Sequence, residues 1–289
     1  MQRPLSSDPS FHGLQRNCDN SATDRSNCRV TTDLTVISLA YYRENGTGGE
    51  GVEGMSSIET VEWDSRILGL PVGRLVSSGH KTEKRDLSGY SQVVARVPQQ
   101  RIDKVAELQS LGFRFIGLDL RLTGHQDEVM PEKESRWKIR RIDHTVPDFV
   151  IDGFRIDDSR LMLDPECRIR LPEKFWDELV YEHCAGFSDV VICAITDSNS
   201  LAGFVSCLVR PPYLDLFMVA VHPEYQRAGL GSTLLQEAAV IAGEKNLMIA
   251  TNVMASNVGG INFYVRHNYM VESGEVVMHY WKEDEHHVQ

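Results

Sequence analysis

Apolar and polar positions divide the chain into five stretches. Residues 1–54 are dominated by Ser, Asn, Asp, Arg, Thr and Gly and read as a disordered leader, with one apolar patch over 34–42 that suits a short strand or helix. Residues 55–124 form a first module of mixed pattern. Ile58–Val61 and Gln92–Val97 are strand-like runs, the second stopped by Pro98, which lacks an N–H for a sheet ladder. A second apolar piece, Ile67–Leu75, is broken by turn residues, and His80–Gly89 reads as a polar loop. Between Arg101 and Leu111, Ile102, Val105, Ala106 and Leu108 recur at helical spacing, with Gly112 as the cap. Phe113–Thr123 then sets Leu118, Leu120 and Leu122 against Asp119, Arg121 and Thr123, a strand with one buried face. Residues 125–147 are polar and read as a linker.

A second module is expected over 148–283, with a charged tail over 284–289. Phe154–Ile156 suggests an opening strand, and Asp157 and Asp158 a helix cap. A helix follows over Phe175–Cys184, then strands Val190–Thr196 and Leu201–Leu208 joined by a hairpin at 197–200. Leu214–Val221 is nearly all apolar, a buried strand ended by Pro223. The next helix places Leu230, Leu234, Leu235, Ala238 and Ile241 on one side and closes at Asn246. Strand Leu247–Val253, helix Gly260–Arg266 and strand Val276–Trp281 complete the module. The order strand, helix, strand from Gln92 to Thr123 echoes the order from Leu247 to Trp281, so the first module reads as a partial repeat that helps wall a cleft.

The chemistry concentrates where the buried strand meets its helix, at Gln226-Arg-Ala-Gly-Leu-Gly-Ser232. Glycines at a helix start allow close backbone approach, and the unpaired N–H groups there attract anions. Arg227 adds a charge suited to phosphate oxygens. No Lys-Ser or Lys-Thr follows Gly231, so this is not a P-loop, and the third glycine of a dinucleotide fingerprint is missing. The reading is a pyrophosphate cradle.

Composition narrows the function further. Apolar residues make up 42% and charged residues 25% of the chain, as in soluble globular proteins. The net charge of −11 argues against nucleic-acid and anionic-membrane partners. The start of the sequence shows no apolar signal core, no apolar run reaches membrane-spanning length, and a cytoplasmic location is expected. The six cysteines include no Cys-x-x-Cys and no His at zinc-ligand spacing, so reduced thiols and no metal are expected.

Gln226-x-x-Gly229-x-Gly231 after a strand ending in Val-His-Pro resembles the acetyl-CoA signature of the GCN5-related N-acetyltransferases (GNAT). Ala255–Tyr269 resembles the same family's Asn-x-x-Ala-x-x-Phe-Tyr-x-x-x-Gly-Phe element, with Gly260 in place of the alanine and Asn268 in place of the glycine. The resemblance implies the acyl-CoA N-acyltransferase fold, an α+β architecture whose mostly antiparallel twisted sheet is flanked by helices. It implies acetyl-CoA as co-substrate, held by Val219, Val221, Gln226, Arg227, Ala228, Gly229, Leu230, Gly231, Ser232 and Asn257, with Tyr264 both touching the cofactor and protonating the departing sulfur. Asp215, early on the central strand, is the candidate base, ahead of His222 and His279; the amine can also lose its proton to water.

Within that family the chain is most similar to the TDP-fucosamine acetyltransferase type, on Trp63-Asp64, Arg96-Val-Pro98, Leu111-Gly-Phe113 and His279-Tyr-Trp281. That likeness implies an amino-sugar nucleotide or another small amine as acceptor. A peptide amine acceptor and a non-catalytic acyl-CoA sensor are the alternatives, and a homodimer is an open assembly.

Overall fold

The structure is a computed structural model that describes residues 57–76, 82–124 and 137–283. The expected leader over 1–54, its patch at 34–42 and the tail over 284–289 lie outside the described residues. The strands are β1 (Ser57–Thr60), β2 (Val72–Val76), β3 (Gln92–Pro98), β4 (Arg114–Gly124), β5 (Lys138–Ile142), β6 (Val190–Ile195), β7 (Leu201–Arg210), β8 (Tyr213–Val221), β9 (Met248–Met254) and β10 (Met270–Trp281). They form one ten-stranded sheet in the order β1-β2-β3-β10-β4-β9-β8-β7-β6-β5. Only the β2–β3 and β8–β9 pairs are parallel among the ladders described. The expected mostly antiparallel sheet is therefore present.

The helices are α1 (Glu62–Leu68), α2 (Ile102–Ser110), α3 (Arg160–Leu163), α4 (Pro165–Arg168), α5 (Phe175–Glu182), α6 (Leu230–Lys245) and α7 (Val258–Arg266). One face of the sheet is covered by α6 and α7, where Leu230, Leu234, Ile241 and Tyr264 pack on Leu122, Leu214, Leu216 and Ile249. On the same side α2 sets Leu108 against Val93, Ala95 and Met278. The opposite face is covered by α1 and α3–α5, with Leu68, Leu161, Phe175 and Leu179 against Val94, Val191, Phe204 and Met218.

The internal echo has a structural counterpart. The units β3-α2-β4 and β9-α7-β10 interdigitate, giving the local strand order β3-β10-β4-β9. Exchanging the two units reverses that order onto itself, so each module lends a strand to the other. Long registers hold this exchange together: β10 pairs with β3 from Glu275↔Pro98 to Trp281↔Gln92, and β4 with β9 from Asp119↔Met254 to Gly124↔Ile249.

Four local expectations need correction. The linker over 125–147 contains edge strand β5, whose Lys-Ile-Arg-Arg-Ile pattern hides a strand behind its charges. Ile67–Leu75 divides into the end of α1 and β2, because Gly69 at φ 68° caps the helix. Phe154–Ile156 buries Phe154 without joining the sheet. The caps expected at Asp157 and Asp158 are supplied by Ser159 for α3 and Asp164 for α4.

Candidate active site

The helix start expected to bind phosphate is built from two left-handed residues. Arg227 has φ 59° and Gly229 φ 85°, and Gly229 is the residue before α6. Such turns point successive N–H groups into a concavity. Gln226 folds back and donates from Nε2 to the Val221 carbonyl at 3.1 Å, tying the turn to the end of β8. Arg227, Gly229, Gly231 and Ser232 line a cleft of about 2190 Å³. Ala228 is not among its lining residues, and the Leu230 side chain is buried in the core. Gly231 has a second duty: a Cβ there would meet the Phe263 ring at 3.3 Å, so this glycine also lets α6 approach α7. The Ser232 hydroxyl lies 2.9 Å from His267 Nε2. His267 Nδ1 donates to the Phe263 carbonyl at 2.8 Å, which leaves Nε2 to accept from Ser232.

The cleft continues into a fork in the sheet. The parallel pairing of β8 with β9 ends at Leu216↔Thr251. A bulge at Phe217 then shifts the β8 register against β7. His222 N–H donates to Ala202 of β7 at 2.9 Å. Peptide groups alternate sides along a strand, so those of Val219 and Val221 face away from β7 and into the opening left by β9. Both valines expected from the sequence line the cleft; the bulge that aims them has no sequence signal.

Thr251 sits at the closed end of the fork, where its hydroxyl donates to the Leu216 carbonyl at 2.9 Å. Tyr264 on α7 hydrogen-bonds to the same Thr251 side chain. Burial pushes the Tyr264 phenol up to about 12, with the Thr251 hydrogen bond opposing the shift. The phenol is therefore protonated throughout the physiological range. Asn257 caps α7, its Oδ1 accepting from Gly260 N–H at 2.7 Å. A Cβ on Gly260 would come within 2.8 Å of the Asn257 amide, so the glycine that departs from the family pattern makes room for this cap.

On the opposite face of the fork, the candidate base Asp215 lines the cleft. Asp215 is 6% exposed and held between two guanidinium groups. Arg121 approaches its Oδ1 at 2.7 Å, off the axis of a hydrogen bond, and Arg210 donates to Oδ2 at 3.3 Å. Both of its oxygens lie against guanidinium cations, so this carboxylate is the centre of two ion-pair contacts, from β4 and β7. His279 is excluded from the acceptor side. It is fully buried, and its Nδ1 lies 2.6 Å from Asp164 Oδ2. His222 accepts from Glu224 N–H at 3.3 Å and caps a short turn.

Sequence reading missed the polar floor around Asp215. Arg121 donates to Asn252 Oδ1 at 3.1 Å, Asn252 donates to Asp119 at 3.2 Å, and Arg96 pairs with Asp119. The chain runs from β7 across β8, β9 and β4 to β3, and all its members line the cleft. Its one available signal was the polar side of the β4 alternation, which read as solvent-facing because the lent strand was invisible.

Residues 157–269 match the family model described as Acetyltransferase (GNAT) family. A functionally unknown conserved protein from Staphylococcus epidermidis superposes with TM-score 0.57 at 12% identity, over 86% of this chain and 98% of that one. The GCN5-related glucosamine N-acetyltransferase region of a fungal multi-domain GH3 beta-N-acetylglucosaminidase gives TM-score 0.50 at 14% identity, over 78% of this chain and 31% of that one. A tandem GNAT protein from the clavulanic acid biosynthesis pathway gives 0.49 at 16% identity, over 75% and 77%. No curated protein matches the chain. The first two likenesses establish the fold. The segment matched by that family model spans the cradle, the fork and Tyr264. By that match the protein is an acetyl-CoA-dependent N-acetyltransferase. Among the described residues no helix is long and apolar enough to cross a membrane.

Proposed function

We propose that the protein transfers the acetyl group of acetyl-CoA directly to the primary amine of a small molecule, within a ternary complex. The observation that carries this reading is one continuous cleft with the phosphate-type turn at its open end and Tyr264 at the closed end of the fork. When bound, acetyl-CoA supplies an activated acyl group. The turn at Arg227–Ser232 would hold its pyrophosphate, and Asn257 would contact it near the start of α7. Val219 and Val221 would direct peptide N–H groups at the pantetheine arm and the thioester carbonyl, donors worth about 3 kcal/mol each in the transition state. The acceptor amine enters from the opposite face, attacks the carbonyl carbon, and the C–S bond breaks. Tyr264 gives its proton to the departing sulfur. The amine's surplus proton leaves through water, since Asp215 is engaged with Arg121 and Arg210.

The first module is proposed to wall the acceptor side through Arg96, Asp119 and Arg121. Acid and base there occur in matched pairs, which favours a small polar amine over the basic peptide that an acidic groove would select. The finer likeness to the TDP-fucosamine acetyltransferase type would make that amine an amino-sugar nucleotide. The test is release of free CoA from acetyl-CoA with a panel of glucosamine, an amino-sugar nucleotide, lysine, spermidine and a lysine peptide. Turnover on a small amine is expected. Tight acetyl-CoA binding with no CoA released by any amine would sink the reading and leave an acyl-CoA sensor.

A further inference from the structure

Tyr269 carries a hydroxyl that the fold does not use. The residue is 5% exposed, and its Oη is buried without a hydrogen-bond partner among the described residues. A phenylalanine would fill the same space without burying an unsatisfied oxygen, so the hydroxyl costs stability where it stands. Its ring is nevertheless held firmly in place. Asn268 at φ 63° turns the chain back under α7, and Tyr269 N–H donates to the Tyr264 carbonyl at 3.1 Å. The Tyr269 ring centroid lies 5.3 Å from that of Tyr264. On its other side it rests on Gly124 of β4, where a Cβ would press into the ring at 3.1 Å. Both phenols feel each other or the Cys207 thiol electrostatically, and burial raises both.

We propose that Tyr269 is a positioning residue for proton transfer from Tyr264, and that its hydroxyl serves the phenolate Tyr264 becomes. The inference rests on the acid role proposed for Tyr264. When the C–S bond breaks, its electron pair goes to sulfur and the Tyr264 O–H proton follows. A phenolate then stands buried beside Thr251, and the neighbouring Tyr269 O–H, unpartnered until then, donates to it without transferring its own proton. The proton lost by the acetylated amine returns through water and restores the Tyr264 phenol. The hydroxyl has no partner in the resting state because its partner is the charge made during the reaction, an interaction made only as the barrier is crossed.

The experiment compares wild type, Tyr264→Phe, Tyr269→Phe and the double variant, using acetyl-CoA and whichever panel amine turns over fastest. Tyr269→Phe is expected to lower kcat about tenfold with KM for acetyl-CoA unchanged, and to raise the melting temperature because a buried orphan hydroxyl is gone. The double variant is expected to be no slower than Tyr264→Phe. Full turnover in Tyr269→Phe beside a slow Tyr264→Phe would overturn this proposal and leave the acid role standing. Multiplying losses in the double variant would overturn it too, since Tyr269 would then act independently. Full turnover in Tyr264→Phe would remove both.

Discussion

At the residue scale, the site turns on side chains whose burial decides their chemistry. Tyr264→Phe keeps the ring and deletes the proton. Turnover is expected to fall roughly 10²-fold, while calorimetry should give the wild-type affinity for acetyl-CoA; equal turnover in the two proteins would take Tyr264 out of the acid role. Asp164 makes a separate prediction about stability. Burial alone would raise its carboxyl, but hydrogen bonds from His279 and Trp281 outweigh burial and bring it from 3.8 to about 2. A carboxylate depressed in the folded state stabilises above its unfolded pKa, and that gain is lost as pH falls from about 4 to 2. Asp164→Asn should cost about 2 kcal/mol at pH 7 and flatten the acid limb of urea-unfolding stability measured between pH 5 and 2. An unchanged acid limb would mean the network contributes nothing. Tyr264 and Asn257 were legible in the sequence because motif spacing fixed them. The ion pairs of Asp215 were not, since Arg121 and Arg210 arrive from strands distant in sequence.

At the element scale, the β8-turn-α6 segment is the most local part of the site and was the easiest to read. An apolar run, a proline and a glycine at a left-handed position dictate strand, stop and helix start within a few residues. Gly229 has φ 85° and no atom within 4 Å of where a Cβ would stand. Gly229→Ala should therefore fold, at a strain cost of about 1–2 kcal/mol, and its methyl group should crowd the phosphate turn. At least a tenfold loss of acetyl-CoA affinity is expected by calorimetry, about 1.4 kcal/mol. Unchanged affinity would place the pyrophosphate elsewhere. The fork resisted prediction for the opposite reason. It is defined by where β9 stops pairing and by a bulge at Phe217, and neither leaves a mark on hydropathy. Edge strand β5 was hidden by composition, because a lysine and two adjacent arginines on an edge look like linker.

At the scale of the whole molecule, the exchanged strands make the two modules mutually dependent. The sequence echo suggested a repeat, but periodicity could not reveal that β10 inserts between β3 and β4. Residues 137–289 expressed alone would lose β4 from between β9 and β10 and β3 from the far side of β10, leaving β9 with an open edge and β10 without a partner. That fragment is expected to aggregate or show no cooperative urea transition by circular dichroism, whereas the full chain should unfold in one transition; a monodisperse, cooperatively folding fragment would contradict the interdigitated sheet. The same exchange brings Asp119 and Arg121 beside the fork, so both strand–helix–strand units line one cleft. The proposed transfer requires the fork to be an acetyl-CoA site. Calorimetric titration of the full chain with acetyl-CoA tests this most directly. One saturable site per chain, competed by free CoA and weakened by Gly229→Ala, is the predicted result; no saturable binding of acetyl-CoA would contradict it.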